Sequence, residues 1–426
     1  MSIKRPRGTN DILPDVSADW YWLEEEIRKL CRMFNYQEIR TPIFEYTELF
    51  QRGVGQTTDI VQKEMYTFMD RGNRSITLRP EGTAAVVRAY LENKLYNQQL
   101  PIKLFYIGPM FRYDRPQTGR YRQFHQFGVE VIGSAHPAVD AEVIYTAMEF
   151  YKRLGLKDIT LLVNSVGCPA CRPIHKKSVS EYLQPHYEQL CETCQDRYEK
   201  NPLRIMDCKN PKCQELVADA PSIINSLCEE CSSHFKEVLN YLKIINIEYK
   251  IDERLVRGLD YYTKTAFEIT VDDLGAQNAI GGGGRYDYLI SECDGPDTPA
   301  IGFALGMERI LLTLKNQGKK IVVDNYPMVY AVGLGKQAEP VVFELVQKLR
   351  SKGISTEMDL MGRSLKAQMK FADKLGAKYT IIIGQEELEK NMLLVKNMQT
   401  GEQKLIDLDK TVNYLLEQQG GNNNGK

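Results

Sequence analysis

The 426-residue chain has no apolar run long enough to span a bilayer. Its opening stretch, MSIKRPRGTNDILP, lacks the apolar core of a secretory signal. Both absences point to a cytosolic protein without a membrane partner, where thiols stay reduced. Charge of one sign is also missing: 55 Lys and Arg against 56 Asp and Glu leave a formal net charge of −1. A generally basic surface is therefore excluded, and any RNA contact must use local patches. No G-x-x-x-x-G-K-[ST] occurs, so a nucleoside triphosphate would not be held by a P-loop. No internal repeat is visible.

What is present is typical of a globular protein, 43% hydrophobic and 26% charged. The length calls for two or three domains. An amphipathic helix opens the fold, with Ser17 as its expected N-cap and Leu23, Ile27, Leu30, Met33 and Phe34 on one apolar face. YQEIRTPIFEY reads as a strand that Pro42 confines to an edge or an interface. Residues 168–245 are rich in cysteine and helical pattern and read as an insertion. Strands resume at 248–252, 265–271 and 299–305. Composition changes again at 315–327, and strands and helices then alternate as in a small α/β domain. The expected domains are 1–325, carrying the insertion, and 326–420, with a disordered tail at 421–426.

Residues 102–132 read as an antiparallel hairpin with a long loop, RPQTGRYR. On its second strand Phe124, Gln126, Gly128, Glu130 and Ile132 share a face. Gly128 leaves a small polar gap there, and Tyr106, Gly108, Met110 and Arg112 lie opposite. Arg112, Arg115, Arg120 and Arg122 cluster around the loop. A solvated hairpin tip is the plainer reading, but it leaves four mutually repelling guanidinium groups unexplained. Phosphate suits their planar fork of donors. Arg79, Glu81 and Thr83 precede one helix, and Gly302, Gly306 and Arg309 lead into another; each is also what a capped helix start would look like.

These stretches resemble the class II aminoacyl-tRNA synthetases: EIRTPIFEYTELF their motif 1, FRYDRPQTGRYRQF motif 2 and GFALGMERI motif 3. RLVRGLDYYTKTAFE and GGGGRYDYL, with RGTNDILP and LRPEGTA, are similar to signatures of the bacterial-type histidyl-tRNA synthetases. The resemblance implies an α+β class II core with a mostly antiparallel sheet flanked by helices, the Cys-rich helical insertion, and a C-terminal α/β anticodon-binding domain. It implies ATP as substrate with Mg2+, L-histidine and the histidine tRNA as partners, and a homodimer with Pro42 at its interface. ATP would meet Arg112 and Arg257 at the α-phosphate, Arg309 near the γ-phosphate, and Arg120 and Gly306 beside them. Histidine would be held by Glu81, Gly82, Thr83, Arg112, Gln126, Glu130, Arg257, Tyr261 and Tyr262, with Arg257, Arg112 and Arg309 as the catalytic set. The alternative is a non-catalytic paralogue that regulates histidine biosynthesis through a phosphoribosyltransferase. Such a protein lacks the C-terminal domain and several of these residues; this chain keeps them.

Eight of the ten cysteines fall in the insertion as Cys168-x2-Cys171, Cys191-x2-Cys194, Cys208-x4-Cys213 and Cys228-x2-Cys231. The spacing suits structural zinc, two sites of four thiolates being one arrangement. Buried thiols or the remnant of a metal site are the other readings, and the resemblance implies no metal there. In VGLGKQA, Gly333, Gly335 and Ala338 fit G-x-G-x-x-A after a strand, but about 100 residues cannot hold a full dinucleotide fold. Of the five histidines, only His125 lies in a signature, where alternation turns it away from Gln126 into a structural role.

Overall fold

The computed structural model describes residues 3–56, 58–208, 210–272, 278–321 and 326–420; the expected disordered tail lies outside them. The chain forms two compact units, Met1–Ile321 and Val322–Lys426.

The first unit opens with the helix Pro14–Met33. Its cap differs from the expected Ser17. Leu13 takes the extended N-cap backbone and Pro14 the first helical turn, where a missing N–H costs nothing and the fixed φ already suits the helix. Ser17 lies inside that turn and donates its hydroxyl to the Pro14 carbonyl. Leu23, Ile27 and Leu30 are buried as their spacing requires; Cys31 completes the stripe, whereas Met33 is exposed.

YQEIRTPIFEY is two pieces rather than one strand, β1 (Gln37–Glu38) and β2 (Phe44–Tyr46). Pro42 lies in the break, where it has no ladder N–H to give. Each piece forms the edge of a different sheet. With β3 (Tyr66–Met69) and β4 (Ser75–Leu78), β2 makes a three-stranded sheet in the order β2–β4–β3. The main sheet, counted among the described residues, has eight strands: β1, β5 (Ile102–Phe111), β6 (Gln123–Ile132), β7 (Ile159–Ser165), β8 (Lys250–Ile251), β9 (Thr263–Val271), β10 (Ala279–Arg285) and β11 (Ala300–Gly306). Their order is β1–β5–β6–β11–β10–β9–β7–β8. Every pair is antiparallel except the two-residue contacts of β1 on β5 and β8 on β7.

One face of this sheet is the core. Phe127, Val129 and Val131 of β6, Phe267 and Ile269 of β9, and Phe303 and Leu305 of β11 pack with Ile27 and Phe150. Each such side chain taken from water contributes about 1.5–3 kcal/mol. Alternation then commits Gln126, Gly128, Glu130, Glu268, Ala304 and Gly306 to the other face. The insertion between β7 and β8 is helical: Cys171–Leu183, Glu192–Lys200, Pro211–Leu216 and Glu229–Ile244.

Among its described residues the second unit has five strands in the order β13–β12–β14–β15–β16: β12 (Val329–Gly333), β13 (Thr356–Met358), β14 (Tyr379–Ile383), β15 (Met392–Asn397) and β16 (Gln403–Asp407). Helices Ala338–Ser351 and Leu365–Lys374 supply the expected crossovers. The antiparallel pair β15–β16 extends the sheet beyond the expected elements.

Candidate active site

The β5–β6 register sets Tyr106 opposite Gly128, Gly108 opposite Gln126 and Leu104 opposite Glu130. The expected gap at Gly128 is filled. A Cβ there would stand 2.2 Å from Cζ of Tyr106, so that phenol lies across the strand face, its oxygen 3.4 Å from Glu130 Oε1. Glu130 is 1% exposed and accepts from Thr83 Oγ1 at 2.8 Å and Tyr286 Oη at 2.5 Å. Burial pushes its carboxyl up to about 8, and nearby Glu81 adds to that, while the hydroxyls oppose it. Among the described residues no cationic side chain forms an ion pair with Glu130.

Glu81 is also buried, and its two oxygens accept from the Thr83 and Ala84 amides at 2.7 and 2.9 Å. It thus caps the helix Thr83–Glu92 and fixes the Thr83 hydroxyl on Glu130. Tyr261 and Tyr262 are buried with ring centroids 4.8 Å apart, and Tyr261 lies 5.6 Å from Tyr286. One carboxyl therefore sits among hydroxyls and phenol rings, a set of groups that suits a small cation with a planar apolar part.

A cavity of about 360 Å³ continues along the same face, lined by Arg112, Arg120, Gln126, Arg257, Gly306 and Arg309 together with Glu268 and Glu308. Arg112 Nε donates to the Pro80 carbonyl at 2.8 Å, with its guanidinium over the Phe124 ring. Arg309 Nε donates to the Gly119 carbonyl at 3.0 Å, and Arg120 pairs with Asp114. Burial lowers the pKa of both Arg112 and Arg309, and the like charge of Arg120 adds to both. Arg257 Nη1 donates to Glu268 Oε2 at 2.6 Å. A Cβ at Gly282 would meet that guanidinium at 2.9 Å, so the glycine of β10 lets Arg257 lie flat on the sheet. Arg257 Nε and Gln126 Oε1 are both buried without a hydrogen-bond partner. Unsatisfied buried polar atoms are costly, and here both belong to residues lining one cavity.

Two of the four hairpin arginines are elsewhere. Arg115 is exposed, and Arg122 stacks 3.8 Å from the Tyr113 ring centroid while donating to the Asp114 carbonyl. Arg115 faces solvent and Arg122 is held half-buried over Tyr113, so the four guanidinium groups do not form one phosphate cluster. His125 is on the core side as alternation requires, its Nδ1 2.9 Å from Glu308 and its ring edge-on to Trp20. The sequence reading gave no role to Tyr286 or Glu268. Both were legible only as members of signatures, Tyr286 in GGGGRYDYL and Glu268 as the last residue of RLVRGLDYYTKTAFE.

The eight insertion cysteines converge as two groups, Cys168, Cys171, Cys228 and Cys231, and Cys191, Cys194, Cys208 and Cys213; within each, the sulfurs lie within 4.8 Å of one another. The pairing is nested, the outer cysteines with the outer and the inner with the inner.

A family model described as Histidyl-tRNA synthetase matches residues 8–171 and 206–310, and one described as Anticodon binding domain matches 328–418. The unmatched 172–205 falls within the insertion and contains Cys191 and Cys194. The chain is 59% identical over 415 residues to the histidine–tRNA ligase of Desulforamulus reducens, covering 97% of this chain and 99% of that protein. It is 57% identical over 417 residues to that of Pelotomaculum thermopropionicum, covering 98% of each. The apo S. aureus histidyl-tRNA synthetase superposes with a TM-score of 0.83 at 45% identity, over 97% of this chain and all of that one. Matches spanning both units, on a sheet that carries the expected signatures on one face, establish that the chain belongs to the histidyl-tRNA synthetase family.

Proposed function

We propose that the groups around Glu130 bind L-histidine and the adjoining cavity binds ATP, so that the chain acts as a histidine–tRNA ligase. It joins histidine to ATP, releases pyrophosphate, and passes the histidyl group to the 3′ end of the histidine tRNA. The observation that carries the assignment is the pair of orphaned buried atoms, Arg257 Nε and Gln126 Oε1, lining the cavity beside a buried carboxyl. Glu130, Thr83 and Gln126 receive the ammonium. Glu81 acts by holding Thr83, and Gly82 leaves room for the Tyr106 ring. Tyr261 and Tyr262 flank the imidazole. Arg257 bridges the histidine carboxylate and the α-phosphate, Arg112 takes the other side of that phosphate, and Arg120 and Arg309 hold the outer phosphates beside Gly306. A carboxylate oxygen attacks phosphorus as the bond to pyrophosphate breaks. Nothing is bonded to the enzyme, so catalysis rests on positioning and on stabilising phosphate charge. Mg2+ fits this site as the partner of ATP: Glu268 lines the arginine cavity and would hold it. Histidine-dependent exchange of labelled pyrophosphate into ATP tests the reading; no exchange would favour the regulatory paralogue, whose claim is weakened by near full-length likeness to proteins named as ligases.

The second unit serves the anticodon. The residues assigned to adenylation end at Arg309, so a chain stopped at Asn325 should keep pyrophosphate exchange within about tenfold but charge tRNA at least about a hundredfold less efficiently, by about 3 kcal/mol of lost RNA contact. Equal charging by both chains would refute the role. A homodimer in the cytoplasm completes the proposal. Among the described residues no helix is long and apolar enough to cross a membrane.

Zinc is proposed for the two cysteine groups. Four thiolates around Zn2+ at about 2.3 Å put their sulfurs about 3.8 Å apart. Cys168 Sγ is 3.6 Å from Cys171 Sγ and 3.9 Å from Cys228 Sγ, and Cys191 Sγ is 3.9 Å from Cys208 Sγ. These separations are too long for disulfides, whose sulfurs lie about 2.05 Å apart. Backbone amides of Cys228, Cys191 and Asn210 donate to Cys171, Cys213 and Cys208 sulfurs, as negatively charged thiolates require.

A further inference from the structure

The loop between β8 and β9 carries Arg257, Tyr261 and Tyr262, three of the groups assigned to histidine and its activation. It is not part of the sheet and needs other supports. On the core side, Asn164 Nδ2 donates to the Leu255 carbonyl at 3.1 Å and the Asp260 amide to the Val54 carbonyl at 3.1 Å. Tyr261 and Tyr262 pack with Tyr286, Leu259 packs on Phe50 and Val54, and Arg257 pairs with Glu268; further supports come from the insertion. Arg172 donates through Nη1 to the Asp260 carbonyl at 3.1 Å and through Nε to the Val166 carbonyl at 3.4 Å. Arg204 Nη2 lies 3.2 Å from both the Gly258 carbonyl and Asp260 Oδ1. Val256 rests on the apolar residues around Cys194, Cys208 and Cys213. Much of the rest of this junction is open, a cavity of about 410 Å³ bordered by Arg172, Arg204, Arg257, Asp260 and Tyr262.

The two arginines have related positions in the chain. Arg172 directly follows Cys171 of the outer group, and its amide donates to the Cys168 carbonyl within the same turn. Arg204 lies in the short helix Pro202–Asp207, which leads into Cys208 of the inner group. Each cysteine group thus fixes the backbone from which one arginine reaches the same five-residue stretch, Gly258–Tyr262. A long, flexible cation gains little from one exposed contact, but its backbone held by a metal knuckle gives it a defined anchor.

We infer that the two cysteine groups, each holding a zinc ion, act as anchors for Arg172 and Arg204, and that these positioning residues set the loop presenting Arg257, Tyr261 and Tyr262 to histidine. The inference rests on the zinc reading above. Metal loading of the insertion thereby controls affinity chiefly for histidine, which meets three residues of this loop; ATP shares only Arg257 with it and keeps Arg112, Arg120 and Arg309, which lie outside the loop.

The test uses the purified full-length chain. Metal analysis should find about two zinc ions per chain. Removing them with a mercurial thiol reagent and chelator, then restoring thiols, excess Mg2+ and ATP, should raise the KM for histidine in pyrophosphate exchange at least tenfold, leaving the KM for ATP within twofold. Adding zinc back should reverse the change. Arg204→Ala and the double replacement Arg172→Ala/Arg204→Ala should produce the same split with zinc retained, and stripping zinc from the double variant should add less than twofold. Arg204→Lys, which can still reach one carbonyl, should recover part of the loss. Protein isolated without zinc would overturn both the metal reading and this one. Zinc at two per chain with an unchanged histidine KM in Arg204→Ala and in stripped protein would overturn the coupling alone.

Discussion

Arg257→Ala is expected to lower the single-turnover rate of adenylate formation about a hundredfold or more, the cost of losing one preorganised donor to a developing oxyanion. Attack of the histidine carboxylate on the α-phosphate brings two anionic groups together. Arg257 is built to relieve that repulsion: Nη1 is committed to Glu268, Nε is buried and unpaired, and Gly282 of β10 lets the guanidinium lie against the sheet. A planar fork can address carboxylate and phosphate together, which a lysine does as a point charge only, so Arg257→Lys should recover only part of the rate. The Glu268 side chain is 27% exposed, so water can solvate it when Arg257 is removed, and the melting temperature should change little. A surface arginine at a turn would tolerate the change within about 0.5 kcal/mol and leave activity intact. A rate within a few-fold of the parent would remove Arg257 from the catalytic set.

Glu130→Gln should weaken histidine activation about thirtyfold or more while leaving the KM for ATP within twofold, because a charge-assisted hydrogen bond contributes about 1.5–3 kcal/mol. The amide keeps the shape but supplies no charge to an ammonium, and its NH2 faces the Thr83 or Tyr286 hydroxyl that now donates. The pH dependence gives a second reading. With its carboxyl raised to about 8, chiefly by burial, Glu130 in the free protein is protonated below that pH, and binding an ammonium expels the proton. Apparent affinity for histidine should therefore rise with pH between about 7 and 8, by up to tenfold per unit, and level off above. The sign for folding is opposite: the raised value favours the fold fully below the usual carboxylate range, a contribution lost as pH rises through about 8. In Glu130→Gln the slope of histidine KM over that window should vanish; a slope equal to the parent's would exclude Glu130 as the ammonium partner.

The hairpin was legible because one period-two pattern fixed both its pairing and its faces: Phe127, Val129 and Val131 went to the core and Gln126 and Glu130 to the site. Register-dependent facts were not legible. Tyr106 fills the place above Gly128 only because β5 pairs residue for residue with β6, and no single strand pattern states that. β10 carries no legible strand pattern because four glycines show no apolar alternation; it is a strand through its pairing with β9 on one side and β11 on the other, and neighbours there approach too closely for a Cβ. The first helix kept its stripe but not its cap, because Pro14 supplies a start that competes with Ser17. The cysteine spacing announced four half-sites and left their partners open, since pairing is decided by where two helices begin, Cys171–Leu183 and Glu229–Ile244, far apart in the chain.

That pairing has a consequence for the order of assembly. Closing the inner group joins Cys191 to Cys208, 17 residues apart, whereas the outer group joins Cys168 to Cys228 across 60. The shorter loop costs about 1 kcal/mol less chain entropy, and once closed it shortens the span the outer group must still search. During synthesis, however, the first four of these thiols to emerge are Cys168, Cys171, Cys191 and Cys194, a set that spans both groups and could hold an ion in the wrong place. The nested order thus sets a cheap local closure against an early non-native one. We predict an asymmetry: replacing Cys208 with serine should slow zinc uptake by the outer group, while replacing Cys228 should leave uptake by the inner group unchanged. Stopped-flow zinc uptake by the unfolded, reduced chain on refolding would read it, and equal effects from the two replacements would rule the sequence of closure out.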